Sequence, residues 1–141
     1  MSQPISSTSL DRFIQEGVLI VGVDTDRALI DEWMRTCSEE AIKALIIRWA
    51  DYGGLRFVIK SNIHYHDKRK LRQLGFCDSI DMIVLQVAIA LRDRIIVSSD
   101  CDFWNPKNTR SRGNPNTPVA TFCRKTWRIE LLLPHELIPR L

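Results

Sequence analysis

Val18-Leu19-Ile20-Val21-Gly22-Val23-Asp24-Thr25-Asp26 is the stretch on which the fold turns. An almost continuous apolar run that stops abruptly in acidic residues describes a strand buried on both faces, and such strands belong to parallel sheets. Ahead of it, Leu10–Gln15 predicts one short helical turn. Behind it, Ala28, Leu29, Trp33, Met34 and Cys37 follow helical spacing. Thr36 with Glu39, or Ser38 alone, caps a second helix carrying Ala41, Ile42, Leu45, Ile46 and Trp49. Gly53-Gly54 stops it, and Leu55–Ile59 reads as a second strand.

Asp67–Leu74 predicts a short basic helix ended by Gly75. Asp81 opens a strongly apolar helix to about Leu91, with Ile83, Val84, Val87, Ala88 and Leu91 on one face. Ile95-Ile96-Val97 is a third buried strand, closing on Ser98-Ser99-Asp100-Cys101-Asp102. Trp104–Pro118, rich in Pro and Asn, reads as a loop. Trp127–Leu133 predicts a last strand, and Pro134-His135-Glu136-Leu137 a helix start with Pro in its first turn. The order β-α-α-β-α-α-β-loop-β-α implies right-handed crossovers and a doubly wound or related α/β sandwich. With 141 residues there is room for one domain, placed at 18–141 behind an N-terminal extension at 1–17.

Composition excludes several classes. Apolar residues make up 45% and charged residues 26%, which separates the chain from disordered and collagenous sequences. No apolar run approaches the ~18–20 residues of a membrane span. Met1–Ser9 is Ser-rich without a basic or an apolar region, so no export signal is readable and a cytoplasmic location is expected. Cys37, Cys77, Cys101 and Cys123 form no Cys-x-x-Cys pair, which argues for reduced, mostly buried thiols over a zinc site. His64 and His66 alternate as ligands on a strand would, but with no third ligand in view they read as surface residues beside the basic run. The net charge of +3 is too small to identify a partner by itself.

The placement of aspartates carries more. Asp24 follows one apolar strand, Asp100 and Asp102 follow another, and Asp81 starts the helix that leads into the second. Ligand sites of open parallel α/β sheets gather at the carboxyl ends of strands. Each residue also has a plainer reading, Asp24 and Asp81 as helix caps and Asp100 or Asp102 as turn residues. Crowded carboxylates repel, by about 1 kcal/mol per pair at ~4 Å in water and several times more near low dielectric. A hard divalent cation relieves that repulsion, and two such ions can activate water and stabilise a leaving oxygen in phosphodiester cleavage.

These motifs resemble the PIN-domain nucleases. That family opens on a strand ending Asp-Thr/Ser-Asn/Asp, as in Val21-Gly22-Val23-Asp24-Thr25-Asp26. It carries an Asp that starts an apolar helix, as Asp81 does ahead of Val87-Ala88. It then has a strand ending Thr/Ser-x-Asp-x-Asp-Phe, as in Ser98-Ser99-Asp100-Cys101-Asp102-Phe103. Ile129–Leu137 is similar to the family's closing strand and helix start. The resemblance implies a Rossmann-like α/β/α sandwich with a mostly parallel central sheet and a metal-dependent endoribonuclease acting on single-stranded RNA. Asp24, Asp81, Asp100 and Asp102 would hold Mg²⁺ or Mn²⁺, and Ser98 would supply a hydroxyl nearby. RNA is the implied partner; an acidic protein such as an antitoxin or other regulatory protein covering the site is the runner-up, a homodimeric copy is a further candidate, and no membrane partner is expected. One departure stands out. Where the family places a Glu after the second strand, this chain has Asn62, His64, His66 and Asp67, of which Asp67 can substitute with a shorter reach.

Basic residues complete the expectation. Lys68, Arg69, Lys70 and Arg72 form one cluster; Lys107, Arg110, Arg112, Arg124, Lys125 and Arg128 form another, interleaved with Trp104, Phe122 and Trp127. Phosphate neutralisation with aromatic stacking suits single-stranded nucleic acid, while a solvated helix face and a basic loop are the plainer account. Two other functions compete. A haloacid dehalogenase-like phosphatase would use Asp24 as nucleophile and Asp26 as acid/base, although Arg27-Ala28 departs from its motif. A non-catalytic PIN-like module would bind RNA or protein, and the missing Glu favours it.

Overall fold

The computed structural model describes residues 7–141, so the stretch read at Met1–Ser9 falls, up to residue 6, outside the described residues. Helix α1 (Ser7–Gln15) leads to strand β1 (Val21–Asp24), helices α2 (Ala28–Thr36) and α3 (Glu39–Asp51), and strand β2 (Leu55–Val58). Helices α4 (Tyr65–Gln73) and α5 (Ser79–Ala90) follow, then strand β3 (Ile95–Val97), helix α6 (Pro118–Trp127), strand β4 (Glu130–Leu132) and helix α7 (Pro134–Leu137). The chain is a mixed α/β fold with short parallel strands. β1 pairs with β2, Val21 opposite Leu55 and Asp24 opposite Val58. β3 pairs with β4, Ile95 opposite Glu130 and Val97 opposite Leu132.

The strand pairing corrects the expectation of one continuous central sheet, because backbone hydrogen bonding among the described residues forms two separate parallel pairs. What joins them is α5. Val87 packs in the core cluster with Val23, Leu29 and Ile30; Leu85 and Ala88 pack in the other with Ile96, Phe103 and Val119; Val84 touches both. α5 carries apolar residues all round, which is how a helix enclosed on every side reads.

Several boundaries differ from the sequence reading, each for a local reason. Val18–Ile20 does not belong to β1: Gly17 turns with φ 76°, and the Val18 and Leu19 amides both donate to the Phe13 carbonyl, which consumes them as the end of α1. Ile95 and Val97 are 37% and 38% exposed, leaving Ile96 as the buried residue of a strand expected to be buried throughout. Helix α6 was unforeseen, and it shortens the last strand to Glu130–Leu132. Pro118 in its first turn and the spacing of Val119, Ala120, Cys123 and Trp127 were its signals. Of the four free thiols, Cys123 alone is fully buried; Cys37 and Cys77 are exposed because they sit on the connections that follow α2 and precede α5.

Helix α1, part of the expected extension, docks on α3. Asp11 accepts from Trp49 Nε1 and from Arg48 Nη2, both at 2.6 Å, and Ile14 is wholly buried against Gly54. Ser38, the second of the two expected caps, starts α3 by accepting from the Ala41 amide.

Asp24 begins α2 in a different way. The residue in the cap position, Arg27, is left-handed at φ 65° and offers no side-chain cap. Asp24 reaches across the turn instead, its Oδ2 accepting from Ala28 N at 2.9 Å and its Oδ1 from Leu29 N at 3.0 Å. Its carboxylate is fully buried. Asp24→Asn replaces one acceptor with an amide that faces a donor, so a buried N–H loses its partner. We expect a loss of about 1–3 kcal/mol, read as a lower urea midpoint at unchanged slope. An unchanged midpoint would show that the two hydrogen bonds do not hold α2.

Candidate metal centre

Asp81 is brought to the turn after β3 by aromatic packing beneath it. Phe76, just before α5, and Phe103, just after Asp102, are both buried and meet edge to face with centroids 5.3 Å apart. That contact ties the start of α5 to the β3 turn. Asp78 caps α5 by accepting from the Ile80 and Asp81 amides at 2.9 and 3.1 Å. Asp81 was read as the residue opening the helix; it lies in the first turn instead, where its side chain is free of capping duty.

The turn after β3 is organised by a chain of short-range hydrogen bonds. The Asp100 amide donates to Ser98 Oγ at 3.0 Å, and the Asp102 amide donates to Asp100 Oδ1 at 3.0 Å. The Ser98 amide donates to the Leu132 carbonyl, anchoring the turn to β4. Arg112 closes it from outside, with Nη1 donating to the Ser99 carbonyl at 3.0 Å. Asp100, Cys101 and Asp102 each place one ligand atom within 4.8 Å of the others; among the described residues they are the only such set of three or more His, Cys, Asp or Glu groups.

Electrostatics record the crowding. Burial pushes the Asp81 carboxyl up from its ordinary 3.8 to about 7, and the charges of Asp100, Asp78 and Asp102 push the same way, as does a hydrogen bond shared with Asp102. Asp102 is also raised, by burial and then by Asp100, although its hydrogen bond with Asp81 opposes the rise. Asp24 and Asp67 are not among the charges that act on either group.

The expected site residues therefore divide. Asp100 and Asp102 come together with Cys101, Asp81 feels the charges of both from α5, Ser98 supports Asp100 and Arg112 adjoins the turn. Asp24 serves α2, and Asp67 lies half-buried in the first turn of α4. Asp78 is the contributor that the sequence reading passed over; an acidic residue three places before Asp81, ahead of an apolar run, is the ordinary mark of a helix cap. His64 and His66 are exposed at the start of α4, stacked 5.0 Å apart, with the His66 amide donating to His64 Nδ1.

The basic residues distribute over three elements. Lys68, Arg69 and Arg72 lie on α4. Lys107 ties a loop to the end of that helix, Nζ donating to the Gln73 carbonyl at 3.3 Å. Arg110 is exposed in the short turn Thr109–Ser111. Lys70 and Lys125, far apart in sequence, line one groove with Phe122 and Leu74 between α4 and α6. No described helix is long and apolar enough to cross a membrane. Compared with family models, curated proteins and solved structures, the chain matches none.

The raised Asp81 fixes a sign for pH dependence. Between about 4 and 7 the folded chain holds a proton there that the unfolded chain releases, so this group's contribution to stability falls as pH rises through about 7. In chelator-treated protein, the drop in Tm between pH 5 and pH 8 is expected to be larger in wild type than in Asp81→Asn. Equal slopes would mean that Asp81 is not crowded.

Proposed function

We propose that the chain is a metal-dependent endoribonuclease on a Rossmann-like, PIN-type sandwich, cleaving phosphodiester bonds of single-stranded RNA with Mg²⁺ or Mn²⁺. One observation carries this reading: Asp100 and Asp102, with Cys101 between them, set ligand atoms within 4.8 Å of one another on the β3 turn, and their charges act on Asp81 of α5. Side chains brought together against repulsion are a mark of functional sites.

The donor set fits the cation. Carboxylate oxygens are the hard ligands that Mg²⁺ and Mn²⁺ take, and half-buried Asp102 beside exposed Asp100 leaves the set open to solvent. Asp81, Asp100 and Asp102 would hold it. When bound, such a cation supplies Lewis-acid polarisation of a phosphodiester and neutralises developing charge. The chain's own groups do the rest. Ser98 holds the Asp100 backbone, and the Asp78 cap holds the first turn of α5 that carries Asp81. Arg112 keeps one nitrogen on Ser99 and offers the others to a phosphate, a bidentate geometry that guanidinium suits. Lys70, Lys125 and Phe122 offer a second charged and aromatic patch for the strand beyond the cut.

A phosphatase using Asp24 and Asp26 is disfavoured. A nucleophilic carboxylate must meet the phosphorus in line, and Asp24 is wholly enclosed with both oxygens on α2 amides. Asp26 is exposed, with Lys60 at 3.7 Å.

A fluorescently quenched single-stranded RNA tests the proposal. Cleavage is expected with Mn²⁺ or Mg²⁺, abolished by EDTA. Asp100→Asn should lower the rate by at least about a hundredfold without lowering Tm, because Asp100 is exposed and losing its charge relieves Asp81 and Asp102. RNA that is bound but never cut with either cation would convert the chain into a binding module. Cleavage that survives Asp100→Asn would move the site elsewhere.

A further inference from the structure

Strand β4 has one partner. In its parallel ladder the Glu130 amide donates to the Arg94 carbonyl and the Leu132 carbonyl accepts from Ser98, so alternate residues of β4 turn their polar groups toward β3. Ile129, Leu131 and Leu133 turn theirs the other way. At the two ends those groups are engaged: the Ile129 amide donates to the Cys123 carbonyl, the Leu133 amide donates to Glu136 Oε1, and the Leu133 carbonyl accepts from the Glu136 amide. Between them, both polar groups of Leu131 face away from β3, the one strand that pairs with β4 among the described residues.

This open stretch forms one wall of a groove of about 430 Å³. Arg124, Arg128 and Arg140 line it, with Glu130 and Glu136. The two acids are already occupied. Arg140 pairs with both oxygens of Glu130 and holds its carboxyl below the usual range, while Glu136 serves the Leu133 amide. Arg124 is steered by one nitrogen on the Pro115 carbonyl at 2.7 Å, and Arg128 enters no ion pair among the described residues. Two guanidinium groups with free donors thus stand over a strand edge on which the amide and carbonyl of half-buried Leu131 are unpaired among the described residues, while Ile129 is buried in the core.

We propose that the β4 edge is a docking groove for an extended acidic peptide of a partner protein, which adds as a third strand beside β4. Main-chain hydrogen bonds to the Leu131 amide and carbonyl would set its register. Arg124 and Arg128 would select carboxylates on its side chains. A nucleic acid strand would use the arginines but not the alternating donor and acceptor of Leu131, which is why a peptide is the better fit. No residue of β3 or of the acidic turn lines the groove, so its occupation is independent of whether that turn cleaves RNA.

The probe is a fluorescein-labelled octapeptide of alternating Glu and Val, titrated into the 141-residue chain. Binding should be seen by anisotropy, with amide shifts in a nitrogen-15 spectrum centred on residues 129–133. N-methylation of alternate peptide amides leaves charge unchanged and removes strand pairing; it should weaken binding at least about tenfold, the loss of one or two hydrogen bonds. The paired change Arg124→Gln with Arg128→Gln should weaken it by a similar factor. Binding weaker than about 1 mM overturns the proposal, as do shifts centred elsewhere. An N-methylated peptide that binds equally well would reduce the groove to a charged surface. A single-stranded oligonucleotide that takes the same footprint while the peptide does not would make it a nucleic acid groove.

Discussion

The burial of α5 is the constraint on which the other elements depend. The two strand pairs are too short to form a sheet that supports itself, and no hydrogen bond joins β1 to β3 among the described residues. α5 supplies the missing continuity through Leu85, Val87 and Ala88, each at most 3% exposed, with Val84 shared between the two clusters. Its carbonyl at Gln86 accepts from the Ser61 amide, which draws the chain leaving β2 onto the same helix. Gly22 allows the approach on the other side, since a Cβ there would stand 2.4 Å from Leu91 Cδ1. Full burial of a large aliphatic side chain stabilises by about 1.5–3 kcal/mol, whereas a like-charged pair near the surface costs about 1 to a few kcal/mol. The packing of α5 is therefore sufficient to hold Asp81 beside Asp100 and Asp102 against their repulsion.

Local signals in the sequence located most elements. Ser38 as a helix cap, Pro134 at a first turn, and acidic residues after apolar strands were all readable because each acts over a few residues. What escaped the reading depends on distant partners. Val18–Ile20 has strand composition, but its amides had already been claimed by the carbonyl of Phe13. Ile95 and Val97 have the residue types of a buried strand, yet their exposure is decided by which strand lies alongside, and β1 does not. The pairing of β3 with β4 runs across more than thirty residues of loop and helix, and no local pattern encodes it. Asp78 and Asp81 were separable only once the first helical turn was placed.

Asp24 and Asp100 make the same point about the site. Both are acidic residues directly after apolar strands, and sequence gives no ground for treating them differently. The structure does. Asp24 is sealed under α2 and spends both oxygens on its amides, so its negative charge compensates the helix N-terminus. Asp100 lies exposed, spends one oxygen on the Asp102 amide and keeps the other toward solvent. One aspartate has both oxygens engaged and the other has one. The difference comes from Arg27, whose left-handed turn leaves α2 without a cap of its own.

The basic residues follow a related economy. The net charge of +3 conceals local excesses, and several of the cations are tethered by one nitrogen to a main-chain carbonyl: Arg94 to Trp127, Lys107 to Gln73, Arg112 to Ser99 and Arg124 to Pro115. Each tether fastens one segment of chain to another. It also removes rotamer freedom from a long side chain before any ligand arrives, and that freedom is worth about 0.5–1.5 kcal/mol when a side chain is immobilised on binding. An arginine fixed in this way keeps further N–H donors, so it meets an anion already oriented. Arg112 beside the acidic turn and Arg124 over the β4 edge share this arrangement, so the hydrogen bonds that fasten the loops also orient the guanidinium groups on which both proposals rest.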